Sequence, residues 1–258
     1  MGDVATEFTG GGEPKRVIEL LWGLEERGRR GPKPRLTVPQ VAAAAIALAD
    51  AEGLGALSMR RLAEQLGLTA MSLYTYVPGK AELIDVMVDA ALGEVLNESA
   101  DEGTGWRSAL ERVARDNWTM YLRHPWILQV ATSRPVLGPG LIAKYDRELR
   151  AVEGIGLTDV EMDLVITIVG DYVRGAARAA VEAAQAEQRS GMNDAEWWAA
   201  FAPILERVSD PSRHPVAARV GVASGQEYGA AVDPERAYQF GLERLLDGIA
   251  VLVRSRRA

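Results

Sequence analysis

The stretch RRLAEQLGLTAMSLYTYVPGK, residues 60–80, leaves the chain little conformational freedom. Ser58 is a candidate N-cap for a helix running through Leu66, because its hydroxyl can accept from the orphan N–H groups of a first turn. Gly67 ends that helix, since a tight corner needs a residue comfortable at positive φ. Thr69 can cap a third helix reaching about Val77, after which Pro78 and Gly79 break the chain. Leu62, Ala63, Leu66, Leu68, Leu73 and Val77 suffice for the small core of such a corner. That leaves Arg60, Arg61, Thr69, Ala70, Met71, Ser72, Tyr74, Thr75 and Tyr76 less buried. The residue types alone admit two readings, a solvated helix hairpin or a surface offered to a phosphate backbone.

Helical periodicity governs the remainder. Val41, Ala45, Leu48 and Ala49 lie on one side of a helix predicted over 38–52 and stopped by Gly53. A long amphipathic helix starts near Lys80, and further helices are predicted near 106–123, 125–132, 140–153, 158–189, 195–207 and 234–254. Residues 209–231, with Pro211, Pro215, Gly221, Gly225 and Gly229, read as a loop. No strand alternation of useful length occurs, so the fold class is all-α. Three units follow: a mobile N-terminal extension with a basic arm over 1–35, a three-helix unit over 36–80, and a larger helical unit over 81–258.

Several function classes drop out. With no cysteine, disulfide scaffolds, thiolate metal sites and cysteine nucleophiles are excluded together. The two histidines, His124 and His214, are far apart, so no His-rich metal site is expected. Paired carboxylates, a Ser/His/Asp set and a phosphate loop are missing too, so no cofactor and no enzyme activity are expected. No apolar run reaches a membrane span of about 18 residues, and VIELLWGL is a poor signal peptide, which points to the cytoplasm. The net charge of -7 hides a division, because residues 27–80 carry eight Lys/Arg against three Asp/Glu. Much of that excess sits in RGRRGPKPR, residues 27–35. Arg29 and Arg30 in such an arm could enter a minor groove, or the arm could be a solvated linker.

The ordered series ALSMRRLAEQLGLTAMSLYTYVPGKAELIDVMVD resembles the DNA-binding domain of the TetR family of bacterial transcriptional regulators. The resemblance covers residues 36 to about 92 and implies a helix-turn-helix that binds double-stranded DNA. It implies that Tyr74, Tyr76 and Lys80 hold phosphates, that Arg60 reaches a base or phosphate, and that Thr69, Ala70, Met71 and Ser72 form the base-reading end. Ala70 and Met71 offer no bidentate hydrogen bonds, so base discrimination leans on Arg60, Ser72 and the arm. More loosely, the part from Ser133-Arg134-Pro135 onward resembles the all-α effector domain of tetracycline repressors. That implies a homodimer, with helices 158–189 and 234–254 pairing with their copies. Along the last helix Tyr238, Leu242, Leu245, Ile249 and Leu252 recur as a seam, which could serve that pairing or an ordinary intrachain core.

A small-molecule effector is implied, with Trp118, Tyr121, His124, Trp126, Asp171 and Trp197 as candidate pocket residues, although aromatic residues on helices are more often plain core than ligand contacts. Tetracycline repressors hold the drug's magnesium with a histidine just before the Ser/Thr-Arg-Pro break. Val130 is the nearest match here, so an apolar or aromatic effector is expected instead. An α-helical enzyme and a protein-binding scaffold are the alternatives.

Overall fold

The computed structural model describes residues 7–24, 35–95, 105–131 and 134–257. Arg29, Arg30 and the basic arm through residue 34 lie outside the described residues. Among the described residues the fold is helical, with one isolated parallel bridge between Phe8 and Ala131.

Local chemistry sets the helix starts. Helix α1 (Pro14–Leu21) is capped by Glu13, whose carboxylate accepts from the Lys15 and Arg16 amides. Helix α2 (Val38–Glu52) opens on a reciprocal Thr37–Gln40 capping box and stops at Gly53, at φ +82°. Helix α3 (Met59–Gln65) is capped by Ser58 and α4 (Ala70–Leu73) by Thr69. Helices α5 (Lys80–Glu94), α6 (Trp106–Arg123) and α7 (Pro139–Arg150) follow. Helix α8 (Asp159–Ser190) begins on a Thr158–Glu161 capping box and ends at left-handed Gly191. Helices α9 (Asp194–Val208), α10 (Pro215–Tyr228) and α11 (Pro234–Arg257) complete the chain.

Two cores organise these helices. The first joins α2 to α5 with Leu20 of α1 and with Met120, Trp126, Ile127, Val130 and Val136. The second joins Leu110 and Ala114 of α6 and Val152 and Ile155 after α7 to α8 and α11. Packing therefore does not break at residue 80. Helix α5 is buried over the whole run Leu83, Ile84, Asp85, Val86, Met87, Val88 and Asp89, as a helix enclosed on every side must be.

The two acids in that run act as anchors. Asp89 accepts from the Gly140 and Leu141 amides at 3.1 and 2.9 Å, so it caps α7. Asp85 Oδ1 accepts from the Gly10 amide at 3.0 Å, while its Oδ2 is buried without a partner. Burial pushes the Asp85 carboxyl above its ordinary range. A raised folded pKa means that Asp85's contribution is full below its unfolded value of 3.8 and is lost as pH rises through the folded value. Asp85→Asn cannot titrate, so its stability relative to the parent should improve from pH 4.5 to 7.5 in urea unfolding. A pH-independent difference would contradict a buried titrating carboxyl.

Four sequence expectations need correction. Residues 215–228 form α10 rather than loop: Pro215 sits at its first turn, and Gly225 lies so close to the Trp198 ring that an added Cβ would stand 2.8 Å from it. Residues 125–129 form a 3-10 turn rather than an α-helix through 132, with Val130 already extended. The third helix is α-helical only to Leu73; the Thr75 and Tyr76 amides bond three residues back, a tightening that suits the approach to Pro78. The N-terminal extension is docked over residues 7–24, where Thr9 is buried and hydrogen-bonded to Ala131 and Arg134.

Candidate nucleic-acid interface

The corner is held from within by Leu62, Leu73 and Val77, all fully buried. Leu68 N–H donates to the Ala63 carbonyl at 2.9 Å around Gly67, at φ +64°. Thr69 Oγ1 accepts from Ser72 N–H at 3.1 Å and also meets the Ser72 hydroxyl at 2.9 Å, so the start of α4 is locked. With these residues pinned inward, Arg60, Thr69, Met71, Tyr74 and Thr75 face outward together. Met71 is 77% exposed and Tyr74 43%. Ala70 and Ser72 are half-buried beside them.

The cations differ in their freedom. Among the described residues Arg60 pairs with Glu64 four residues on, at 3.0 Å, and its side chain is 87% exposed, so the pair is easily released. Arg61 instead holds Glu52 of α2 and serves as a brace. Tyr76 is half-buried, and its hydroxyl accepts from Leu36 N–H at 3.4 Å. Lys80, at the start of α5, carries Glu7 on its ammonium at 2.7 Å. Arg35, at the end of the basic run, reaches the Gly67 carbonyl at 3.5 Å and adds a cation beside the corner. Only its place in that run could have drawn attention to it.

The residues expected in an effector pocket fall into separate groups. On α6, Trp118 stacks on Tyr238 at 4.2 Å, and Tyr238 stacks on Tyr172 at 6.3 Å. Tyr121, one turn on, packs against both cores. Burial pushes the phenols of Tyr121 and Tyr238 upward, the latter to about 12, so both stay neutral at ordinary pH. His124 and Trp126 are turned away from this group: His124 Nδ1 lies 2.8 Å from Asp50, and Trp126 Nε1 donates to the same carboxylate at 2.8 Å. Trp197 stacks on Phe201 along α9, on an exposed face. Asp171 lies on an exposed α8 stripe with Leu164, Ile168, Gly175 and Ala179.

The seam of α11 divides. Tyr238, Leu242 and Ile249 are buried against α8 within one chain, the intrachain alternative. A different face of α11, with Phe240 and Val251, remains exposed. Among the described residues no helix is long and apolar enough to cross a membrane.

Residues 41–87 match bacterial regulatory proteins of the tetR family, and residues 99–253 match the tetracyclin repressor-like C-terminal domain. The chain belongs to the TetR family. It is 46% identical over 253 residues to the HTH-type transcriptional repressor DrrR1 of Streptomyces coeruleorubidus, covering 98% of this chain and 92% of that one. Streptomyces coelicolor ActR, solved in complex with actinorhodin, is 27% identical with a TM-score of 0.66 over 84% of this chain and 97% of that one. An Acinetobacter baumannii TetR variant in complex with minocycline, 22% identical with a TM-score of 0.58 over 84% and 98% of the two chains, shares the fold. The TetR-family chain is accordingly a DNA-binding transcriptional regulator and not an enzyme.

Proposed function

We propose that this TetR-family chain is a cytoplasmic, homodimeric repressor that binds a palindromic double-stranded operator and is released by a small-molecule effector. In this reading residues 36–80 read DNA and residues 81–258 bind effector and dimerise. One observation carries the DNA contacts: Arg60, Thr69, Met71 and Tyr74 are exposed on the same corner whose Leu62, Leu73 and Val77 are wholly buried. A solvated hairpin has no reason to keep an exposed methionine and tyrosine beside an arginine held only by an exposed, easily released ion pair. Thr69, Ala70, Met71 and Ser72 would meet base edges, while Tyr74, Tyr76 and Lys80 would meet phosphates. Two copies would set their recognition helices about 34–36 Å apart, in successive major grooves. The apolar stripes left exposed on α8 and α11 support such pairing.

The Trp118, Tyr121 and Tyr238 group supports an apolar or aromatic effector, and ActR's complex with actinorhodin gives a precedent in a relative. Coupling of effector to operator would be about 1–3 kcal/mol, and reciprocal.

Selection from a pool of random duplexes is the decisive experiment. It should yield a palindromic site whose affinity falls steeply with salt. A flat salt dependence, or no enrichment at all, would end the proposal. Arg60→Ala should then cost about 1–3 kcal/mol and relax one base position if it reads a base, or flatten the salt slope by about 1 if it meets a phosphate.

A further inference from the structure

Residues 7–24 precede the two segments, 41–87 and 99–253, that match the family's domains, yet they are built into the fold at several points. Ala131 N–H donates to the Glu7 carbonyl at 2.9 Å, and Thr9 N–H donates to the Ala131 carbonyl at 3.0 Å. The buried Thr9 hydroxyl donates to the Arg134 carbonyl at 2.6 Å. Gly10 N–H is held by Asp85 of α5. The glycines that follow allow a close approach: a Cβ on Gly12 would lie 2.8 Å from the Glu82 carboxylate of α5. Further on, Trp22 Nε1 donates to the Leu137 carbonyl at 3.0 Å. The segment thus runs as a strap from the start of α5 to the chain ahead of α7. Its near end leaves one side chain over the DNA face, because Glu7 sits on the Lys80 ammonium at 2.7 Å.

We propose that this strap is an autoinhibitory element, in which Glu7 occupies the Lys80 ammonium in place of a DNA phosphate while Thr9 fastens it to Ala131 and Arg134. The inference rests on the reading of Lys80 as a phosphate ligand. A phosphate and the Glu7 carboxylate cannot share one ammonium without mutual repulsion, so DNA must displace Glu7. Displacing it pulls on the Glu7–Ala131 and Thr9–Ala131 hydrogen bonds, in the part of the chain that leads into α7. The state of that part therefore biases how readily Lys80 is released to DNA.

The test uses the full chain and a fluorescein-labelled duplex recovered from the random pool, titrated by anisotropy at several salt concentrations. Glu7→Gln should tighten binding about threefold to tenfold and steepen the salt slope by about 0.9, as for one cation gained by the interface. Lys80→Gln should weaken binding, and on that background Glu7→Gln should have no further effect. If Lys80→Gln leaves binding unchanged, the phosphate reading fails. If Lys80→Gln weakens binding while Glu7→Gln alone leaves it unchanged or weakens it, the strap inference is overturned. Thr9→Val keeps the buried volume and removes the hydroxyl donor. It should reproduce part of the Glu7→Gln gain, and no gain would overturn the fastening to the Arg134 carbonyl.

Discussion

Gly140→Ala is expected to cost about 3 kcal/mol and lower the melting temperature by on the order of 10 °C. The reason is a backbone-to-backbone contact. A Cβ at Gly140 would stand 2.0 Å from the Asp89 carbonyl oxygen and 3.1 Å from the Gly93 amide nitrogen. No rotamer change relieves a clash with main chain, so α7 must move away from α5. That movement also stretches the Asp89 bonds to the Gly140 and Leu141 amides. Gly221→Ala provides the control: an added Cβ there meets nothing within 4 Å, and helix propensity should favour it by about 0.5–1 kcal/mol. Thermal unfolding of both variants decides the matter. Equal melting temperatures for Gly140→Ala and the parent would mean that α5 and α7 are not locked as described.

The second large effect is at the joint between α2 and α6. Asp50→Ala should cost about 2–4 kcal/mol. Asp50 accepts from Trp126 Nε1 at 2.8 Å and faces His124 Nδ1 at 2.8 Å, while His124 Nε2 faces Glu94 at 3.0 Å. His124 and Trp126 are both buried, so removing the carboxylate strands two polar nitrogens with little water to replace it. Asp50 itself retains some exposure, which keeps the loss below that for a wholly dry pair. Asp50→Asn keeps an acceptor for one of the two nitrogens and should lose about half as much. Urea unfolding followed by tryptophan fluorescence would measure both. A loss under about 0.5 kcal/mol for Asp50→Ala would show that this node does not hold the DNA-binding helices to α6.

Much of the helical layout was legible without coordinates. Ser58, Gly67 and Thr69 delimit α3 and the corner through groups within three residues of one another, and a cap hydrogen bond needs no distant partner. The outward set Arg60, Thr69, Met71 and Tyr74 follows from the same local period once Leu62, Leu73 and Val77 are assigned inward. Loop-like composition misled over 215–228, where Gly225, one of the glycines that suggested a loop, instead lets α10 meet Trp198.

By itself, then, the sequence determined the bounds of α2, the capped starts of α3 and α4, which side of the corner is apolar, and that the fold is all-α. Only the tertiary structure decided that residues 7–24 lie docked with Glu7 on Lys80, that His124 and Trp126 turn to Asp50 rather than to Trp118, and that Tyr238, Leu242 and Ile249 serve the intrachain core. Caps and periodicity are short-range interactions, written in neighbouring residues. The Thr9–Arg134 and Asp50–His124 contacts join residues 125 and 74 positions apart, and they exist only once packing brings those segments together.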